Sequence, residues 1–148
     1  MSGFEFRETM AGSFHLLSAP DDERPMSFTI RARARSMLSF LRRPEVEIEG
    51  EVDAEGFADH RRLSGTLGLD VIRTGTLPYA FRFTTNDGKP CVFSGKKTVS
   101  VRELSHSMTV LPGSLLDESG AEIGRALLRF DMRSDLLKFI TSFRLWKK

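Results

Sequence analysis

The sequence predicts an all-β fold, a closed or nearly closed antiparallel up-and-down β-barrel of about eight to ten strands. Three observations predict it. Apolar and polar residues alternate with a period of two, turn-forming residues separate the alternating runs, and glycines stand at inward positions of those runs. Inward glycines relieve crowding where strands curve tightly, which favours a barrel over a sandwich. The barrel is expected to use residues 1–148 as a single domain.

The four clearest strands each place apolar residues on one face and polar residues on the other. A helix would need apolar residues spaced by three and four, and none of these runs has that spacing. The strands are expected over Met26–Arg35, Glu45–Asp53, Leu63–Asp70 and Tyr79–Thr84.

Weaker alternation predicts further strands. Phe4–Phe6 and Phe14–Leu16 flank a polar, glycine-containing segment, so one long bent strand or two short ones fit. Others are expected over Cys91–Val101, around Met108–Leu111, over Ile123–Met132 and over Phe139–Trp146.

Turn and helix signals complete the pattern. Asn86–Lys89 and Glu118–Gly120 carry the residues of tight hairpins. The alternation fails between Arg35 and Pro44, where a short helix is expected, and Asp135–Phe139 suits another helical turn. These features are typical of a lipocalin-like barrel with one or two short helical segments.

Composition offers little material for catalysis. The single cysteine, Cys91, excludes an intrachain disulfide and a multi-cysteine zinc site, and the three histidines are far apart. Phosphate-loop, G-x-S-x-G and H-E-x-x-H motifs are missing from the sequence. The net charge of +2 gives no argument for nucleic acid. We therefore expect no metal, no cofactor, no nucleic acid, no transmembrane segment and a cytoplasmic location.

Charge is segregated into two blocks. Five arginines lie between Arg31 and Arg43, and seven acidic residues lie between Glu45 and Asp59. The arginines suit a basic patch for phosphate, nucleic acid or an acidic partner. The matched spacing instead favours a cross-strand ladder, in which opposite charges pair. In that ladder, arginines 31, 33 and 35 face glutamates 49, 47 and 45.

A candidate ligand cavity lies among aromatic residues of neighbouring strands: Tyr79, Phe81, Phe83 and Phe93. Pockets are mostly apolar with a few polar groups, although small barrels are often filled by side chains. Because side chains alternate along this strand, either Lys96 or Lys97 points inward, unless a bulge after Gly95 turns both to solvent. An inward Lys97 would need a carboxylate, water or an anionic ligand.

Other chemically active residues carry weaker signals. Cys91 shares its parity with Phe93, which indicates a small core residue rather than a nucleophile. His106 could serve as an acid or base, but the spacing identifies no partner for it. The C-terminal segment from Met132 fits an amphipathic basic helix, and Phe139–Leu145 also alternates like a final strand that closes the barrel. No catalytic residue is assigned.

Five segments follow one another along the chain: Phe4–Ser13, Leu63–Thr66, Pro78–Phe83, Phe93–Lys97 and Phe139–Arg144. In this order they resemble a small module associated with and fused to some bacterial glucose–methanol–choline oxidoreductases, including cholesterol-oxidase-like proteins. The flavin-binding G-x-G-x-x-G motif is missing from this sequence, so the resemblance implies an accessory domain and no oxidoreductase activity. It implies lipid-like or sterol-like substrates and an oxidoreductase partner.

Three hypotheses follow, in decreasing order of support. The first is a non-catalytic barrel that binds a small apolar ligand, lipid-like or sterol-like, or assists an oxidoreductase. The second is a protein-interaction module or homo-oligomer that docks through the Arg35–Arg43 segment or the basic C-terminus. The third is an enzyme that uses His106 or Lys97.

Overall fold

The computed structural model describes residues 2–98, 110–130 and 144–147, which form nine strands and two short helices. The strands are β1 (Ser2–Leu16), β2 (Arg24–Ala34), β3 (Glu45–Ala54), β4 (Ala58–Gly68), β5 (Thr76–Thr84), β6 (Pro90–Thr98), β7 (Val110–Leu116), β8 (Glu122–Arg129) and β9 (Arg144–Lys147). The helices are α1 (Met37–Arg42) and α2 (Val71–Thr74). Among these residues, no helix has the length and apolar character needed to cross a membrane.

Strands β1 to β8 pair antiparallel in chain order, and the pairing of β1 with both β2 and β8 closes an eight-stranded barrel. The predicted all-β barrel is therefore confirmed. The segment between Phe6 and Phe14 does not interrupt β1, which is one continuous strand. Its first residues pair with β9 and its last with β8, so two strands share one side of β1.

The period-two pattern places one face of each strand in the core. In β5, for example, Leu77, Tyr79, Phe81 and Phe83 are buried while the residues between them are exposed. Glycine at position 50 allows the backbones of β2 and β3 to approach closely. A Cβ atom there would lie 1.9 Å from the carbonyl oxygen of Thr29, which supports the argument from inward glycines.

The two ends of the barrel differ. At one end, tight hairpins join the strands, and those at Asn86–Lys89 and Glu118–Gly120 were expected. The other end, here called the helical end, carries α1 and α2. The predicted helix between Arg35 and Pro44 is α1. The predictions for residues 99–109, for Asp135–Phe139 and for the segment 131–143 lie outside the described residues, as does His106.

The charge ladder agrees with the predicted register where β2 and β3 pair. Arg31 faces Glu49 and Arg33 faces Glu47 across the two strands. Strand β2 ends at Ala34, before Arg35 could face Glu45, and the Arg35 guanidinium lies instead 3.5 Å from a Glu47 carboxylate oxygen. Arg33 also reaches Glu5 on β1 at 3.3 Å. Residues of the arginine block therefore lie next to residues of the acidic block on the outer face of the barrel.

Candidate ligand-binding site

Lys97 lies inside the barrel, and Lys96 points to solvent. The pairing of β5 with β6 runs without interruption from Thr84–Pro90 to Thr76–Thr98, so no bulge follows Gly95. Regular alternation from Cys91 and Phe93 therefore carries Lys97 inward. Of the two orientations that the sequence left open, the structure has the inward one.

The carboxylate that meets Lys97 belongs to Glu8 of β1. The Nζ atom of Lys97 donates to Glu8 Oε2 at 3.2 Å, and the hydroxyl of Tyr79 donates to Glu8 Oε1 at 2.5 Å. All three side chains are buried, with Lys97 only 2% exposed. We call Glu8, Tyr79 and Lys97 the interior polar cluster.

Aromatic rings enclose the ammonium group. Lys97 Nζ lies 5.2 Å from the centroid of the Tyr79 ring and 5.9 Å from that of Phe130, the residue that follows β8. Both distances allow cation–π attraction, which is stronger when the cation is withdrawn from water. The site therefore combines a charged donor with an apolar wall.

Burial and Glu8 keep the Tyr79 hydroxyl protonated. Removal from water is the largest cause that raises the pKa of Tyr79 well above its ordinary value, followed by the negative charge of Glu8 and the hydrogen bond to it. A neutral phenol is the form that can donate to Glu8. Each oxygen of the Glu8 carboxylate thus receives one of the two donors.

The predicted aromatic residues contact one another. The rings of Phe81 and Phe93 are stacked at 4.9 Å with an interplanar angle of 14°, and Phe81 lies 6.0 Å from Phe83. Phe28 packs edge-on against Phe81 at 5.2 Å. These three phenylalanine rings and Phe28 therefore pack against one another in the core. Tyr79 and Lys97, from the same predicted set, supply the polar part of the site instead.

The sequence did not predict Glu8 as a site residue, because Glu8 lies in the polar segment that was interpreted as a break in the first strand. Its position carried a usable signal, because Glu8 has the same parity as Phe6 and Met10, both of which are buried. A carboxylate on the inward face of one strand and a lysine on the inward face of another are candidates for pairing.

The remaining candidate residues lie apart from this cluster. Cys91 is buried, and burial raises the pKa of its thiol to about 11, which suits the predicted core role. His15 contacts Glu23 at 2.7 Å and His60 contacts Asp53 at 3.1 Å, both away from the core. Within the described ranges, no three histidine, cysteine or acidic side chains group closely enough to hold a metal ion.

In the described part of the outer face, arginines line a groove together with acidic residues. A groove of about 650 Å³ crosses strands β1 to β4, and it is lined by Arg7, Arg31 and Arg62 together with Glu49 and Glu51. Arg7 faces Arg31 across β1 and β2, Arg31 faces Glu49 across β2 and β3, and Glu51 faces Arg62 across β3 and β4. This arrangement fits the ladder better than a phosphate-binding or nucleic-acid-binding surface.

The interior polar cluster can bind an oxygen atom of a ligand. An ammonium group has three N–H donors, and among the described residues Lys97 Nζ donates to Glu8 alone. A hydroxyl, carbonyl or carboxylate oxygen of a ligand could accept a hydrogen bond from a remaining N–H donor.

Comparisons of the chain with protein-family models, curated proteins and solved structures found no match.

Proposed function

We propose that this protein is a non-catalytic barrel that binds a small, mainly apolar ligand carrying an oxygen atom. The observation that carries the proposal is the charged pair of Lys97 and Glu8 inside the barrel. A buried ion pair adds little stability compared with apolar residues of similar volume. Its presence in an otherwise apolar interior is therefore better explained by a polar ligand group than by stability.

The ligand in this proposal has a defined chemistry. Its oxygen accepts a hydrogen bond from Lys97, and its apolar body lies against aromatic side chains such as Phe130. Fatty acids, fatty alcohols and sterols meet both conditions, and the resemblance to the oxidoreductase-associated module implies the same lipid-like and sterol-like class. An oxidoreductase partner and a cytoplasmic location accompany this proposal as predictions.

The test begins with the purified protein. Native mass spectrometry, followed by solvent extraction, would detect a small molecule retained in the barrel. Calorimetric titration with a fatty acid, a fatty alcohol, a sterol and an alkane of matched size would then measure binding. We expect the oxygen-bearing compounds to bind at least about tenfold more tightly than the alkane, since a buried hydrogen bond to a charged group discriminates by this amount or more.

A matched pair of variants links binding to the cluster. Glu8→Gln/Lys97→Met removes both charges together and should abolish the preference for oxygen-bearing compounds. Glu47→Gln changes an exposed carboxylate on the outer face and should leave binding unchanged. Unaltered binding by the double variant, or the failure of all four compounds to bind the wild-type protein, would overturn the proposal.

A further inference from the structure

Helix α1 exposes apolar side chains at the helical end of the barrel. Leu41 is 71% exposed, Leu38 48% and Met37 38%. Five large hydrophobic residues are exposed in the described part of the chain, and three of the five lie on this six-residue helix. Grouped exposed apolar side chains of this kind mark contact sites with another molecule or a membrane.

The helix is held so that this face points outward. Phe40, on its other side, packs edge-on against Phe4 of β1 with the ring centroids 5.1 Å apart. Ser36 caps the helix, and its side-chain oxygen accepts from the backbone N–H of Ser39. The exposed leucines are thus presented by an anchored helix.

Arginines stand at both ends of α1. Arg35, Arg42 and Arg43 are exposed, and the sequence has no acidic residue between Arg24 and Glu45. Beside the helix lies a groove of about 300 Å³, whose lining includes Ser36, Ser39, Arg35 and Arg43 together with Glu45 and Glu47. Arg35 is the residue that neutralises Glu47, at 3.5 Å.

We propose that α1 docks on a bilayer surface that contains anionic phospholipids. Met37, Leu38 and Leu41 enter the boundary between headgroups and acyl chains, and Arg42 and Arg43 pair with phosphate groups. A second copy of the chain fits this surface poorly, because a symmetric contact would bring the arginines of both copies together. This inference does not depend on a ligand inside the barrel.

Vesicle co-sedimentation of the full chain tests the proposal. Vesicles of phosphatidylcholine mixed with phosphatidylglycerol should pellet the protein, and vesicles of phosphatidylcholine alone should pellet much less. Leu38→Ser/Leu41→Ser should lower the partition coefficient about tenfold or more, because two apolar side chains no longer insert. Arg42→Gln/Arg43→Gln should lower it by about tenfold for the anionic vesicles.

The control is Leu17→Ser/Leu127→Ser, which alters two leucines that are 41% and 40% exposed away from α1 and should change partitioning by no more than about twofold. All these side chains are exposed, so circular dichroism and melting temperature should match the wild type in every variant. The proposal fails if wild-type protein does not pellet with anionic vesicles, or if the control loses as much binding as Leu38→Ser/Leu41→Ser. It also fails if ultracentrifugation shows a dimer that the α1 variant dissociates while vesicles bind neither protein.

Discussion

The ammonium of Lys97 and the carboxylate of Glu8 meet at 3.2 Å, although the residues are 89 positions apart. Lys97 lies on β6 and Glu8 on β1, which are not neighbours in the sheet order. Their contact therefore spans the interior and joins two walls of the barrel. Tyr79, on β5, adds a second link to the same carboxylate.

Glu8→Gln should destabilise the protein by about 3–5 kcal/mol, because it leaves the buried charge of Lys97 without its partner. Urea denaturation followed by circular dichroism would measure the change in the free energy of unfolding. Glu8→Gln/Lys97→Met should recover most of the loss, since no charge stays buried. A cost as small as that of the exposed Glu47→Gln would contradict this account.

Tyr79 should resist ionisation in the folded protein. It is the single tyrosine of the chain, so the phenolate absorbance reports on it alone. Its folded pKa is raised above the unfolded value of about 10, mainly by burial. We expect no phenolate signal in native protein at a pH where denatured protein shows it fully. Phenolate formation at the same pH in both states would be inconsistent with the buried hydrogen bond.

The same shift predicts how stability depends on alkaline pH. A raised folded pKa means that the native state keeps a proton that the unfolded state loses, so this stabilisation is complete below about pH 10 and is lost as the pH rises through the folded pKa. Tyr79→Phe removes a donor to Glu8 and should cost about 1–3 kcal/mol near neutral pH. The difference between Tyr79→Phe and wild type should shrink above about pH 10. If the difference in stability between Tyr79→Phe and wild type did not change with pH, the raised pKa of Tyr79 would be contradicted.

The thiol of Cys91 should be unreactive in the native state. Cys91 is the single cysteine and is 1% exposed, and burial raises its pKa to about 11, so little thiolate forms at neutral pH. An aromatic disulfide reagent should label denatured protein fully while native protein reacts at least about a hundredfold more slowly. Equal rates in the two states would refute the core assignment.

Gly50→Ala should be strongly destabilising because of the close approach between β2 and β3. Its added Cβ would lie 1.9 Å from the carbonyl oxygen of Thr29, a backbone atom that cannot rotate away. We expect a cost of about 3 kcal/mol or more in thermal or urea denaturation. Gly88→Ala is the matched control. Gly88 has a φ of +79° with no atom within 4 Å, so its cost should be about 1–2 kcal/mol. Equal costs would show that backbone conformation outweighs the contact.

Local patterns predicted much of this fold. Alternation identified the inward faces of β2 to β5, because successive side chains of a strand point to opposite sides. The Arg31–Glu49 and Arg33–Glu47 register followed from equal spacing on consecutive strands. Helix α2 was not predicted, since four residues are too few to show a helical period.

The sequence by itself determined the inward faces of the clearest strands and two of the hairpin turns, since these depend on neighbours along the chain and on consecutive strands. Only the tertiary structure decided that Glu8 meets Lys97. Their contact depends on how the strands tilt and how the barrel closes. Both depend on small offsets in register that add up over every strand pair. Closure likewise decided that Phe81 stacks on Phe93, since ring packing depends on the space left by all the walls together.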